Sequence, residues 1–161
     1  MFKKGVLVLA CVLTIAGCAT QQFKPVETTN VVNVPSQGQK EIYNKARQWF
    51  SQYFVSGKSV VDYENQEEGT IIGNGIANIG SDPFGLIQYK IKYNIRIDTK
   101  EGKFRALTKI NEHTNTDSKS TYSVSYVSKE READAINHVN TIVADIESYL
   151  NDKKLDSKSE W

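Results

Sequence analysis

The residues of this chain with the most specific chemistry are its two cysteines, Cys11 and Cys18. Cys18 directly follows Ile15–Gly17, an aliphatic residue and two small ones. Small side chains let an extended backbone enter a peptidase, and a thiol is a group that can accept a lipid. The spacing therefore predicts that the chain is cut before Cys18 and that its sulfur is acylated.

The segment before this cysteine has the layout of an export signal. Lys3 and Lys4 precede an apolar run, Val6–Ile15. A secretory signal needs about 7–15 apolar residues, whereas a membrane-spanning helix needs about 20. The run ends in a string that resembles the bacterial lipobox, so we expect residues 1–17 to be a lipoprotein signal peptide. The alternative is an ordinary cleaved signal beside an accidental cysteine.

The predicted location is a membrane surface on the exported side. In lipoproteins an Asp after the lipidated cysteine usually marks inner-membrane retention, and this chain has Ala19 there. We therefore expect a periplasm-facing outer-membrane anchor, with the inner membrane less favoured. Several acyl chains hold a protein on a bilayer stably, where one alone is marginal. No cofactor beyond the covalent lipid on Cys18 is expected.

Other candidate sites have weaker patterns. Gly73 and Gly75 lack the lysine and hydroxyl residue of a phosphate-binding loop. With Ala77 they predict instead a smooth strand face against which a helix can pack. His113 and His138 are the two histidines, and they have no metal-ligand spacing. We expect no metal, and we expect His138 to be flanked by solvent.

The remaining carboxylates and hydroxyls predict no catalytic centre. Asp62, Glu64, Glu67 and Glu68 cluster around one turn, whereas a catalytic pair needs opposed placement across a cleft. No serine lies in a nucleophile elbow. The sequence therefore predicts that the protein is not an enzyme.

A set of cations occupies alternate positions on two neighbouring strand candidates. These residues are Lys90, Lys92, Arg96, Lys103, Arg105 and Lys109. A hairpin would place all of them on one exposed face, although the chain after residue 17 has 18 basic and 19 acidic residues. Such a face suits lipopolysaccharide phosphates, acidic lipid or an acidic protein. The alternative is a solvated face with an edge protected by lysines. An exported address argues against nucleic acid.

The elements that position these side chains predict one domain. Residues 18–30 are polar and aperiodic, which predicts a lipidated tether, and residues 152–161 form a charged tail. Between them, residues 31–151 contain two helical patterns, one capped by Ser36 and closed by Gly57, the other capped by Ser128. The strand candidates are Val31–Val34, Ser59–Glu64, Gly69–Ile79, Leu86–Asp98, Lys103–His113 and Thr121–Val127.

The order of these elements indicates an α+β fold. We expect an antiparallel sheet of four to five strands with two helices packed on one face and the other face open. The clearest strand is Leu86–Asp98, because apolar and polar residues alternate along it almost without error.

Several of these segments resemble a bacterial family. The residues concerned are Ile42, Tyr43, Ala46, Trp49 and Phe50, then Val60–Glu64, Glu67–Gly69, Ile71–Gly73 and Gly75, then Tyr93, Ile95, Ile97, Asp98 and Gly102–Arg105. They resemble the family known as domain of unknown function 4468, over about Val34 to Leu150. The resemblance implies a fold like that of the TATA-binding protein (TBP) and an envelope setting. It implies no activity and no catalytic residues.

Three hypotheses for function follow. The favoured one is a non-enzymatic envelope lipoprotein that docks a protein or an anionic envelope component through its open, basic sheet face. The second is a small-ligand-binding or hydrolytic domain with a pocket between helices and sheet, lined by Trp49, Tyr63 and Tyr93. The third is a structural or prophage-encoded surface lipoprotein without a ligand.

Overall fold

The computed structural model describes residues 21–54 and 60–151 of the chain. The predicted signal peptide, Cys18 and the charged tail lie outside the described residues. Within them the elements are β1 (Gln21–Gln22), β2 (Val26–Asn33), α1 (Gln39–Tyr53), β3 (Val60–Asn65), β4 (Thr70–Ser81), β5 (Gln88–Lys100), β6 (Lys103–Thr116), β7 (Thr121–Ser123), β8 (Tyr126–Val127) and α2 (Lys129–Leu150).

One antiparallel sheet organises the described part of the molecule. Its strands lie in the order β2-β6-β5-β4-β3, and the short β7 pairs with the far end of β6. A separate ribbon is formed by β1 and β8. The predicted α+β architecture is confirmed, and the main sheet has six strands where four to five were expected.

Both helices pack on one face of the sheet. The inward side chains of β5, which include Ile91, Ile95 and Ile97, are buried beneath them. The two helices are joined by a hydrogen bond of 2.8 Å, in which the Trp49 indole donates to the Asp145 carboxylate. The alternation of β5 therefore gives the sheet one apolar face that two amphipathic helices cover.

The glycines of β4 lie where large side chains cross the sheet. A Cβ on Gly73 would come within 2.8 Å of the Phe50 ring of α1. Gly75 pairs with Tyr93 on β5, and a Cβ there would come within 2.5 Å of the Tyr93 ring. The predicted smooth face is therefore real, and it receives one ring from a helix and one from the neighbouring strand.

The first strand of the sheet begins earlier than the sequence predicted. Residues 26–30 were assigned to the tether, but β2 starts at Val26 and pairs with β6 from Ile110 onwards. This strand has no apolar alternation that would indicate it in the sequence, because it lies at the sheet edge. Its inward-facing Thr28 hydroxyl forms a hydrogen bond with the Thr108 hydroxyl. The predicted tether is thus wrong from Gln21 onwards, because β1 pairs with β8 and Phe23 packs against His113 before β2 begins.

The two predicted helix starts had different outcomes. Ser128 caps α2, and its hydroxyl accepts a hydrogen bond of 3.2 Å from the Arg131 backbone N–H. The predicted cap of α1 is wrong, because Gly38 occupies the N-cap position and Ser36 has a φ of 69° in the preceding turn. Helix α1 ends at Tyr53, and the predicted closing residue Gly57 lies outside the described residues.

The last predicted strand is divided into two. The chain pairs with β6 through β7, and then leaves the main sheet to pair with β1 through β8. At this change the Ser125 carbonyl accepts a hydrogen bond of 2.8 Å from the Phe23 backbone N–H. The residues predicted as one strand therefore form two, because the second of them pairs with β1 of the N-terminal segment.

Candidate functional site

The face of the sheet opposite the helices carries the predicted cations. The β5–β6 pairing sets Asn94 opposite Lys109 and Asp98 opposite Arg105, so the outward residues of both strands share this face. An irregularity between Lys92 and Tyr93 shifts the register. Tyr93 lies opposite Ile110, whereas Lys92 lies opposite Glu112. All six predicted cations therefore lie on the open face, as the hairpin required.

Most of these cations have a carboxylate partner, which the sequence did not reveal. Four ion pairs join neighbouring strands or neighbouring outward positions: Lys92–Glu112 at 2.6 Å, Lys109–Glu27 at 2.8 Å, Arg96–Asp98 at 2.8 Å and Arg105–Asp98 at 2.6 Å. Exposed pairs of this kind contribute little to stability and are screened by salt. They do reduce the net charge that the face presents to a partner.

Asp98 is the centre of the largest ion-pair group on the face. Its carboxylate accepts hydrogen bonds from both arginines and one of 3.0 Å from the Thr70 hydroxyl. Burial by itself would raise the pKa of Asp98, but the hydrogen bonds from Arg105, Arg96 and Thr70 together hold that pKa below its ordinary value. Asp98 is therefore charged at neutral pH and pairs with two guanidinium groups on this face.

Three lysines on the face have no ion pair with any described residue. Lys90 and Lys103 were predicted, whereas Lys100 was missed because the predicted strand ended at Asp98 and β5 continues for two residues. Lys100 pairs directly with Lys103 across the β5–β6 hairpin. The alternation of outward and inward residues continues from Asp98 to Lys100, and this signal in the sequence could have identified Lys100. These lysines are the cations of the face whose charge is not neutralised by an ion pair with a described carboxylate.

Two shallow pockets on this face contain the unpaired lysines. One, of about 210 Å³, is lined by Val31, Asp98, Lys100, Lys103, Phe104 and Arg105. The other, of about 330 Å³, includes Lys90 and Lys92 with the hydroxyls of Thr114, Thr116 and Thr121. Apolar side chains, among them the exposed Val31 and Ile76, lie between the charges. The face thus combines cations, hydroxyls and exposed apolar side chains.

The histidines lie on the helix side and are packing residues there. His113 is fully buried, neither ring nitrogen has a partner among the described residues, and its ring meets Phe23 edge-on at 4.7 Å. Burial, and then the nearby Arg131 guanidinium, lower the pKa of His113. His138 is half-buried, so solvent flanks it in part, and its ring centroid lies 6.4 Å from that of Tyr93. Burial lowers the pKa of His138 as well.

Two of the four carboxylates around the β3–β4 turn accept hydrogen bonds from neighbouring side chains. Arg47 of α1 donates to Glu64 at 2.8 Å, and the Tyr63 hydroxyl donates to Glu68 at 3.2 Å. The Asn65 side chain accepts from two backbone N–H groups of the turn. Across the described ranges, no group of three or more His, Cys, Asp or Glu residues is arranged to hold a metal ion.

The three aromatic residues proposed to line a pocket do not come together. Trp49 and Tyr93 are buried in the core, where Tyr93 hydrogen bonds the Tyr53 hydroxyl. Burial, followed by the neighbouring Tyr53, raises the pKa of Tyr93 above its ordinary range. Tyr63 is exposed on β3, near the sheet edge. The small-ligand hypothesis therefore loses the lining on which it depended.

Comparison with known proteins agrees with this architecture. The model of a family described as a domain of unknown function with TBP-like fold, DUF4468, matches residues 29–115. The chain belongs to the DUF4468 family. The matched residues begin inside β2, in agreement with the earlier start of the sheet. No protein among those with curated descriptions matches the chain significantly.

Two solved structures show the same fold. A DUF4468 family protein from Bacteroides ovatus ATCC 8483 is 15% identical, with a TM-score of 0.60, and the match covers 85% of this chain and 92% of that one. A TBP-like protein from Parabacteroides distasonis ATCC 8503 is 16% identical, with a TM-score of 0.62, over 84% of this chain and 98% of that one. These two structures establish the fold of the chain and carry no function.

Proposed function

We propose that this protein is an outer-membrane lipoprotein, anchored by lipid on Cys18, that binds an acidic protein through the open face of its sheet and catalyses no reaction. One observation carries the proposal. Seven cations, the six predicted ones and Lys100, share that face with three carboxylates, Glu27, Asp98 and Glu112. The chain as a whole is close to neutral, so its positive charge is concentrated on one surface.

The distribution of the unpaired lysines favours an extended partner over a compact anion. Lys90 and Lys100 lie ten residues apart on β5, which is about 33 Å along a strand. One phosphate group cannot contact both ends of such a surface. The apolar side chains between them, Val31 and Ile76, also suit a protein surface.

The ion pairs within the face determine which of its cations a partner would contact. Because Lys92, Arg96, Arg105 and Lys109 each hold a carboxylate of this chain, a partner meets mainly Lys90, Lys100 and Lys103. Exposed charges of this kind steer association and set its salt dependence more than they set affinity. We therefore expect binding to weaken as salt concentration rises.

Cross-linking within the envelope tests the docking face. A photoreactive residue replaces Leu107, at the middle of the open face, or Ala144, exposed on the outer side of α2. We expect the Leu107 site to capture one acidic protein and the Ala144 site to capture none. The triple variant Lys90→Ser, Lys100→Ser, Lys103→Ser should lose this capture at physiological salt.

A charge-matched control separates the face from overall charge. The triple variant Lys24→Ser, Lys40→Ser, Lys129→Ser removes three exposed lysines that lie off the open face, and it should leave the cross-link intact. Equal loss in both triple variants, or capture that high salt does not reduce, would contradict the docking proposal.

Metabolic labelling tests the anchor separately. Cells given a radioactive fatty acid should label the wild-type chain, and the labelled chain should sediment with outer membranes. Cys18→Ser should remove both the label and the sedimentation. A wild-type chain that stays unlabelled and is released by osmotic shock would show that the anchor is not lipid.

A further inference from the structure

One end of the sheet presents large apolar side chains to solvent. The loop between β4 and β5 carries Phe84 and Leu86, which are 84% and 71% exposed and are the two most exposed large hydrophobic residues of the described chain. We call Phe84 and Leu86 the apolar tip. Leaving such side chains in water forgoes the free energy of covering them, so a cluster of them indicates a contact surface.

The loop holds these side chains outward by its own hydrogen bonds. The backbone N–H of Asp82 donates to the Ile87 carbonyl at 2.9 Å, and the Ile87 N–H donates to the Asp82 carboxylate at 2.6 Å. The Gly85 N–H donates to the Asp82 carbonyl at 2.9 Å, and Gly85 takes a φ of 70°. These bonds fix the backbone of the loop in the conformation in which Phe84 and Leu86 are exposed.

The N-terminal segment reaches the molecule at this same end. The first residue of β5, Gln88, pairs with Thr116 at the end of β6, and Thr116 pairs with Thr121 of β7. The chain continues into β8, where Tyr126 pairs with Gln22 of β1. Arg131, in the first turn of α2 directly after β8, donates to the Asn115 side chain at 2.6 Å and lies over the Tyr89 ring. The start of α2, and with it the β1–β8 ribbon, therefore lies towards the end of the sheet that carries the β4–β5 loop.

Chain length limits how far the lipid can be from this end. Cys18 precedes Gln21 by three residues, and each residue spans at most about 3.6 Å, so the two Cα atoms lie within about 11 Å. The long tether expected from the sequence would have allowed any orientation. A three-residue link to a paired strand does not, because it brings one particular end of the domain to the bilayer.

We propose that the apolar tip inserts into the interfacial region of the bilayer beside the lipid on Cys18. This rests on the lipidation proposed above. Phe and Leu side chains gain free energy when they leave water for the apolar side of the membrane interface. The strands then stand away from the membrane, and the open basic face remains free for its partner.

A fluorescence experiment on lipidated protein tests the insertion. The natively lipidated chain carrying Phe84→Trp is reconstituted in phosphatidylcholine vesicles that contain brominated lipid. We expect a blue-shifted component quenched by the bromine atoms, because the new indole enters the interface. The matched control is Val31→Trp, an exposed apolar position on the open face (62%), and it should show neither effect. Absence of quenching for Phe84→Trp would overturn the proposal.

Vesicle affinity provides the second measurement and separates this proposal from that of lipidation in the cell. In the chain starting at residue 18, Cys18 is the sole cysteine, so one acyl chain can be attached to it chemically. Every described element lies after residue 20 and is retained. The double variant Phe84→Ser, Leu86→Ser should weaken binding to neutral vesicles about a hundredfold, roughly tenfold for each side chain. Val31→Ser should change it less than twofold.

The two proposals can therefore fail independently. An unlabelled Cys18 in cells with tip insertion in the chemically acylated chain would defeat the anchor alone. Normal labelling with unchanged vesicle affinity in the double variant would defeat tip insertion alone. Dimerisation of the unacylated chain in solution, abolished by Phe84→Ser and Leu86→Ser, would show that a second copy covers the tip, and it would also overturn the proposal.

Discussion

The two faces of β5 use the same backbone for different purposes. Inward residues such as Ile91 and Ile95 are fully buried under the helices, while the outward residues Lys92 and Arg96 stay exposed and paired with neighbouring carboxylates. Substitutions on the covered face should change the free energy of unfolding. Substitutions on the open face should change binding instead. The comparison teaches that one alternating pattern can encode stability and recognition on opposite sides of a strand.

The largest expected effect comes from a cavity under the helices. Ile95→Ala removes a fully buried side chain at the centre of the sheet, and such changes typically cost about 2–5 kcal/mol. Ile76→Ala, on the open face of β4, should cost less than about 1 kcal/mol because this side chain is 39% exposed. Urea unfolding of both variants checks the difference, and equal losses would show that the open face is also part of the core.

A smaller effect is expected where the helix approaches a glycine. Gly73→Ala places a methyl group within 2.8 Å of the Phe50 ring, and crowding a packed interior typically costs about 1–3 kcal/mol. Ser81→Ala, at the exposed end of the same strand, should be near neutral. Thermal unfolding measures both changes. A fully stable Gly73→Ala variant would mean that α1 can shift outward without loss.

The buried histidine should make stability depend on pH. Because burial and Arg131 lower the pKa of His113 in the folded state, the unfolded chain binds more protons below its ordinary pKa of about 6.5. The contribution of neutral His113 to the free energy of unfolding is complete above that pH, and it is lost as the pH falls towards the folded pKa. His113→Leu removes both this slope and an unpartnered polar ring, so it should stabilise the fold by about 1 kcal/mol near pH 5.

The slope of unfolding free energy between pH 7 and pH 5 is the measurement for His113→Leu. A residual slope from His138, whose pKa burial also lowers, should disappear in the double variant with His138→Leu. If the single variant keeps the complete slope of the wild type, His113 is not the group that titrates.

The smallest stability change is expected on the open face itself. Asp98→Asn removes the negative charge shared by Arg96 and Arg105, at a cost of about 1 kcal/mol or less because these arginines are exposed. Since the folded pKa of Asp98 is lowered, its contribution is present above the unfolded pKa of about 3.9 and is lost as pH falls through the folded value. The variant should therefore have a flatter stability profile below pH 4.

Binding should change in the opposite direction from stability in this variant. Asp98→Asn frees two guanidinium groups, so association with an acidic polypeptide such as poly-glutamate should strengthen severalfold. Glu101→Gln, in the turn beyond the face, is the matched charge change and should have a smaller effect. Weaker binding of Asp98→Asn would indicate that the ion-pair geometry, and not the free cations, recognises the partner.

Local patterns were sufficient where one residue's environment depends on its near neighbours. The alternation in β5 and the Ser128 cap of α2 both appear as predicted, because pleating and capping act over a few residues. The start of the sheet was missed since Val26–Asn30 is polar and becomes a strand only by pairing with β6, about 80 residues later. Edge strands of this kind have a weak sequence signal because only half of their surface is buried.

The sequence by itself determined the cations of the hairpin, the lipobox-like string before Cys18 and the antiparallel α+β class. Only the tertiary structure decided which cations remain unpaired, because the carboxylates of Glu27 and Glu112 reach the face through strand register. It also placed the start of α2, which follows the β1–β8 ribbon, at the end of the sheet that carries the loop of Phe84. Pairings between strands distant in sequence are set by the packing of the whole sheet, so no local pattern of residues contains them.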